Sequence, residues 1–277
     1  MKHKIPKIIH QIWYQGEDNI PEKYRAYSRT WKRKHKDYEH LLWSEDDIKE
    51  LLKNKFPEYI DLFNSLPEMI QKIDFAKYCI LYTYGGVYAD MDLECLKNLD
   101  SLFSKESKKL YVVNLDADIF EKIITNHYGE LYNNDWFASV KKHVYWRLLM
   151  ERIKTENLKR EWYETSIGYI FRTTGPKVFS EVLGKIRFST VISVPHDKID
   201  PIKWVDYGTK IDYSNYPDAY TIHHYGSKNM DGLAWQSNIE IVGGIVFSKI
   251  KKYWYLFAIA LGIILLDHAN SGKVIVV

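Results

Sequence analysis

With 277 residues, 46% hydrophobic and 27% charged, the chain has material for one large core and does not have the composition of a disordered segment. A net charge of +3 is too small to argue for nucleic-acid binding. The two cysteines, Cys79 and Cys95, make neither a disulfide framework nor a C-x-x-C pair, and Cys79 reads as a small buried hydrophobe. The aromatic fraction of 15% is high, which suits sites that hold sugars or bases, although core filling accounts equally well for any single ring.

In chain order, residues 7–13 read as a first parallel strand, apolar on both faces. Pro21 to Lys34 follows as a helix with Pro21 at its first position, carrying basic residues from Lys23 to Lys36. That run reads first as a solvated helix face and secondly as an anionic-surface contact. His40 to Trp43 is a second strand. Ser44 then caps a helix opened by Glu45, Asp46 and Asp47 and continued from Ile48 to Lys55. Pro57 and Pro67 punctuate short helices, and Pro67 to Tyr84 forms a longer one with Asp74 and Lys77 one turn apart on one side. Gly85 or Gly86 is expected to close it in a left-handed cap. Val87 to Asp90 is the next strand, and Tyr111 to Leu115 another. Asn133-Asn134 and Phe137 to Val140 suggest a strand pair. Helices are expected over Val144 to Thr155 and Lys177 to Gly184, a strand over Val191 to Val194, and a loop over 200–218.

The chemistry concentrates at Asp90-Met91-Asp92, which follows an apolar run and the Gly85-Gly86 break. If this segment is extended, its two carboxylates share one face with Cα atoms ~6.5–7 Å apart. Such a pair at a strand end can hold a divalent cation that bridges phosphates, because hard cations take carboxylate oxygens and complete their shell with phosphate and water. Ligands of open α/β sheets bind beyond the carboxyl ends of the strands.

The series Asp74, Lys77, Tyr78, Leu81, Tyr82, Gly85, Gly86, Val87, Tyr88, Asp90, Asp92 resembles the DXD-containing, sugar-binding glycosyltransferase family. That family includes fungal initiating mannosyltransferases, inositol phosphoceramide mannosyltransferases and the glucosylating domains of large clostridial toxins. Ile5 to Trp13 is similar to its opening strand, Asn133-Asn134 with Ala138-Ser139 to a middle segment, and His223-His224-Tyr225-Gly226-Ser227 to a late one. Thr173 to Pro176 is similar to a turn of the family.

The resemblance implies a nucleotide-sugar-binding, Rossmann-like α/β domain of the GT-A type, with a mixed, mostly parallel sheet. It implies a metal-dependent, retaining transfer of a hexose from a UDP- or GDP-sugar to a lipid-linked or glycan acceptor. Carried over by position, Ile12 and Trp13 would meet the nucleotide, with Trp13 stacking on the base. Asp74, Lys77, Tyr88 and Asn134 would lie at the donor sugar and phosphates. Asp90 and Asp92, with His224 as the late ligand, would hold Mn²⁺ or Mg²⁺, and Asp74, Lys77, Asp90 and Asp92 would carry catalysis. His10 and His223 read as structural histidines. The family usually has Arg where this chain has Lys77, a flexible point charge in place of a bidentate fork. Alternatives are a catalytically inactive nucleotide-sugar or glycan-binding relative, or a transferase acting on a protein.

Residues 1–248 read as the catalytic domain and 249–277 as a hydrophobic tail. Tyr253 to Leu266 is uninterruptedly apolar and follows Lys249, Lys251 and Lys252. It is short for a span of ~20 residues, so a packed helix and a membrane anchor both remain open. No N-terminal signal peptide is read, and the expected location is membrane-associated or cytoplasmic.

Overall fold

The computed structural model describes residues 5–103, 109–117, 122, 129–156, 158–160, 166–185, 189–202 and 211–226. The hydrophobic tail, Ser227 and Trp235 lie outside these residues. Among the described residues no helix is long and apolar enough to cross a membrane.

The chain opens with β1 (Ile8–Ile12), α1 (Glu22–Lys34), β2 (Glu39–Trp43), α2 (Glu45–Lys55) and α3 (Ile60–Ser65). Pro21 is the N-cap of α1, one position earlier than expected. Ser44 and Asp47 form a reciprocal capping box at α2, where three acids in the first turn also favour the helix dipole. Next come α4 (Met69–Tyr84), β3 (Gly86–Ala89), β4 (Leu93–Cys95), β5 (Leu110–Asn114) and β6 (Tyr132–Ser139). The last part contains α5 (Val144–Lys154), α6 (Ser166–Thr173), α7 (Pro176–Lys185), β7 (Val191–Val194), α8 (His196–Ile199) and β8 (Thr221–His223).

The six-stranded sheet has the order β2-β1-β3-β6-β5-β7. The pairings β1–β2, β1–β3 and β5–β7 are parallel, while β6 runs antiparallel to β3 and β5. Reversing β6 alone makes the sheet mixed and mostly parallel, the expected fold class. A separate two-stranded ribbon pairs β4 with β8. It brings residues 93–95 against 221–223 and so draws the late histidines to the end of β3.

Alternation along the strands sorts side chains into two cores. Tyr88, Val112 and Phe137 pack with α4, α5 and α7 through Tyr78, Trp146 and Phe179. Val87, Ala89, Tyr111, Trp136 and Ala138 face the other way, onto Trp31 of α1. Each fully buried aromatic contributes about 1.5–3 kcal/mol, so the ring content is largely structural. Residues Phe75 to Leu81 of α4 are buried all round, which places Lys77 inside the protein rather than on a solvated face.

Two expectations need correction. Gly85 ends α4 with φ 63° and ψ −159°, a positive φ without the ψ of a left-handed cap. Gly86 has φ 95°, and a Cβ there would come within 2.6 Å of the Ile8 carbonyl oxygen, so only glycine lets β3 lie against β1. Asn133 to Ser139 forms one continuous strand rather than a pair, because β3 and β5 hydrogen-bond its two edges. The sequence also gave no sign of α6, α8, β4 or β8, all eight residues or shorter.

Candidate functional site

The site begins on α4. Asp74 and Lys77 are 2% and 1% exposed, with Nζ 3.2 Å from Asp74 Oδ1. Nζ also lies 3.1 Å from Asp90 Oδ1 and donates to the Asn134 carbonyl oxygen at 3.2 Å. Asn134 Nδ2 and Thr174 Oγ1 each donate to Asp74 at 3.0 Å. The Tyr88 hydroxyl donates to Asp90 Oδ1 at 2.6 Å. One ammonium thus stands between two carboxylates, joining the helix, the end of β3 and the start of β6. Burial pushes the Asp74 carboxyl up to about 6 against the opposing pull of Lys77. Burial works against the Lys77 charge too, but Asp90 and Asp74 outweigh it and hold the ammonium above its ordinary range.

β3 stops at Ala89, so Asp90, Met91 and Asp92 do not continue it as an extended segment. They form a turn in which Leu93 N–H donates to the Asp90 carbonyl oxygen at 3.1 Å. The two carboxylates consequently have different neighbours. Asp90 faces Lys77 and Tyr88, while Asp92 Oδ2 accepts from the Gly226 N–H at 2.7 Å and lies 3.2 Å from His223 Nε2. Burial would raise the Asp92 carboxyl, yet the His223 charge and the hydrogen bonds hold it well below the carboxylate range. A Cβ at Gly226 would meet the Tyr24 hydroxyl at 2.3 Å, so a larger residue there would have to displace the Tyr24 ring.

Met91 packs against Ile20 and Tyr24, with Trp13 and Tyr27 at the edge of the same cluster. Trp13 is therefore beside the aspartate turn, half-buried, with its ring centroid 5.3 Å from that of Tyr24. Its neighbour Ile12 is a buried core residue at the end of β1. His10 is held as a core histidine. Its Nε2 faces the Gly85 carbonyl oxygen at 2.9 Å and its Nδ1 accepts from Trp43 Nε1 at 3.2 Å.

His224 has its ring stacked on Tyr27 at 4.2 Å, with Nε2 3.0 Å from Glu94 Oε2. The imidazole facing Asp92 belongs to His223. Its other nitrogen, Nδ1, lies 3.1 Å from Asp135 Oδ2 and 3.5 Å from Asp200 Oδ2. Asp135 and Asp200 are 2% and 0% exposed. The Tyr225 hydroxyl donates to Asp200 Oδ2 at 2.8 Å and stands over His223, with ring centroids 4.0 Å apart. Burial pushes Asp135 up to about 6, and His223 opposes it. Burial also works against a charged His223, but Asp92 and the two other carboxylates raise it well above the ordinary histidine range.

Asp135 and Asp200 are therefore functional candidates that residue-by-residue reading missed, and His223, expected to be structural, joins them with Tyr225 in place of His224. The only local signal was an acid set between Asn133-Asn134 and the apolar Trp136-Phe137-Ala138. Asp200 carried none, since α8 and β8 had to be placed before it could meet a residue 23 positions later.

These donors suit a hard or borderline cation. Asp92 Oδ2 and His223 Nε2 pair at 3.2 Å, close enough that one cation could take both in place of the proton they share. Carboxylates suit Mg²⁺ or Mn²⁺, while the imidazole beside them shifts the preference from Mg²⁺ toward a borderline ion such as Mn²⁺.

Residues 21–109 match the family described as glycosyltransferase sugar-binding region containing DXD motif. Inositol phosphoceramide mannosyltransferase 1 of Schizosaccharomyces pombe is 31% identical over 226 residues, which is 80% of this chain and 61% of that protein. The initiation-specific alpha-1,6-mannosyltransferase of Saccharomyces cerevisiae is 29% identical over 263 residues, 89% of this chain and 53% of that one. The chain thus spans little more than half the length of these relatives. Among solved structures, the PaToxG glycosyltransferase aligns at TM-score 0.46 and 20% identity, over 66% of this chain and 70% of that one.

Proposed function

From residues 21–109, which carry the DXD-containing sugar-binding region of glycosyltransferases, we propose that the protein is a metal-dependent hexosyltransferase using a nucleotide diphosphate sugar. Mannose is the favoured sugar, and a lipid-linked or glycan acceptor the favoured partner, because the similar curated proteins are named mannosyltransferases, one of them for inositol phosphoceramide.

The observation that carries this reading is the meeting of Asp74, Lys77 and Asp90 with the Asp92–His223 pair at the end of β3. In it, Asp92 and His223 hold Mn²⁺ or Mg²⁺, with Asp90 at the rim. When bound, the cation neutralises the leaving diphosphate and so lowers the cost of its departure. Lys77 supplies fixed positive charge within the same site. Asp74 and Asn134, joined by a hydrogen bond, orient donor-sugar hydroxyls. Trp13 offers a partly open ring to the nucleotide base.

The transfer is retaining. The bond from the anomeric carbon to the phosphate oxygen breaks, the acceptor oxygen bonds the same face, and its proton passes to the leaving phosphate. That route needs no side-chain nucleophile.

Isothermal calorimetry with UDP- and GDP-hexoses, run with Mn²⁺ and again with chelator, tests the reading. Binding of one donor that is lost with chelator is expected. Failure of every donor to bind in the presence of Mn²⁺ and of Mg²⁺ overturns it.

A further inference from the structure

His223 is unusual in having a carboxylate at each ring nitrogen. Nε2 faces Asp92 at 3.2 Å, and Nδ1 faces Asp135 at 3.1 Å and Asp200 at 3.5 Å. Asp135 and Asp200 come from the middle of β6 and the residue after α8, so two separate parts of the chain converge on one nitrogen. Both are almost fully buried, a costly placement for carboxylates unless they are partnered. Asp200 is itself tied down, since the Tyr225 hydroxyl donates to its Oδ2 and bridges to the Ile202 carbonyl oxygen at 2.8 Å. Both oxygens of Asp135, Oδ1 of Asp200 and His223 Nδ1 itself lack a well-directed hydrogen bond among the described residues, so these are charge contacts whose hydrogen-bonding capacity is still open.

A histidine that ligates a metal through one nitrogen ordinarily gives its other N–H to a carboxylate or carbonyl, which fixes the tautomer and the ring orientation. We propose that Asp135 and Asp200 are positioning residues that hold His223 with Nδ1 turned to them and Nε2 presented beside Asp92 as the nitrogen ligand of the donor-site cation. Neither acid touches the cation. They act through the ring, with Tyr225 closing its open face and bracing Asp200. The proposal rests on the metal-dependent reading above and adds to it a buried acid pair that residue-level motifs do not contain.

The test is Mn²⁺ binding to the full chain, read from the electron paramagnetic resonance signal of the free ion. Wild type is compared with Asp135→Asn, Asp135→Glu and Asp200→Asn, with a thermal melt on each to show that it is folded. Asn keeps the volume but offers the ring only a neutral amide oxygen. Asp135→Asn and Asp200→Asn are each expected to weaken Mn²⁺ about 10–100-fold, the usual effect of losing such a partner. Asp135→Glu should recover part of that loss. Folded Asp135→Asn and Asp200→Asn proteins that bind Mn²⁺ as tightly as wild type overturn this proposal and leave the metal-dependent reading standing. Two ions per wild-type chain falling to one in Asp135→Asn also overturn it, because Asp135 would then be a ligand. A wild type that binds no Mn²⁺ sinks the metal-dependent reading instead.

Discussion

Replacing Lys77 with Met removes a buried cation while keeping most of its volume, and the surrounding contacts fix what this costs. Nζ contacts Asp74 at 3.2 Å, Asp90 at 3.1 Å and the Asn134 carbonyl oxygen at 3.2 Å. Breaking a buried ion pair from one side costs about 3–5 kcal/mol, because the remaining charge is left unpaired. Asp90 is partly open to water and can be hydrated, whereas Asp74 cannot. Asp74 does have a second escape, which is to take up a proton. Its folded carboxyl already stands near 6, above the unfolded value, and loss of Lys77 raises it further. A carboxyl raised on folding leaves stability intact below its unfolded pKa and removes it as pH rises through the folded pKa. The Met variant should therefore lose about 3–5 kcal/mol at pH 8. It should regain up to about 1.4 kcal/mol per pH unit as Asp74 protonates. Urea unfolding at pH 8 and pH 5, with midpoints compared at unchanged slope, measures both. Adding Asp74→Asn should restore most of the pH 8 loss. A loss below about 1 kcal/mol at pH 8, set against the ~3 kcal/mol floor for a broken buried pair, would refute the reasoning. So would a loss equal at both pH values.

Two further outcomes follow from the same contacts. His10 is neutral in the fold, and burial lowers its pKa from 6.5 to about 4. Its contribution is fully present above pH 6.5 and is lost as pH falls toward 4, so His10→Gln should flatten the fall in melting temperature over that window. An unchanged slope would exclude His10 as a source. Gly86→Ala puts a Cβ 2.6 Å from a backbone oxygen at φ 95° and should cost about 2–4 kcal/mol, from overpacking plus backbone strain. A thermal melt reads this as roughly 5–15 °C, and a drop under ~3 °C would contradict the steric account.

The parts of the site that could be read from sequence were those encoded by local spacing. Asp74 and Lys77 share a helix face at i and i+3, and Ser44 with its acids marks the start of α2. The aspartate pair was visible, but its geometry was not. The extended premise failed because β3 pairs with β6 only as far as Ala89, after which the chain turns. Asp135 and His223 stand 88 positions apart, with Asp200 between them, and the three meet through the β4–β8 ribbon and the antiparallel insertion of β6. The ribbon depends on two three-residue strands with almost no pattern of their own, and nothing in the β6 sequence says that it enters the sheet antiparallel. His224 is the late ligand expected from the sequence and His223 the structural one, yet it is His223, at the end of β8, that faces Asp92. Nothing local says which of two adjacent histidines turns toward the aspartates.

Cleavage of the donor tests the central claim most directly. Wild type and Asp92→Asn are incubated with a panel of UDP- and GDP-hexoses and Mn²⁺ or Mg²⁺, and released nucleoside diphosphate is measured with and without chelator. Release from one donor by wild type, abolished by chelator and by Asp92→Asn, is the predicted result. Release that survives both chelator and the substitution would contradict a cation held at Asp92.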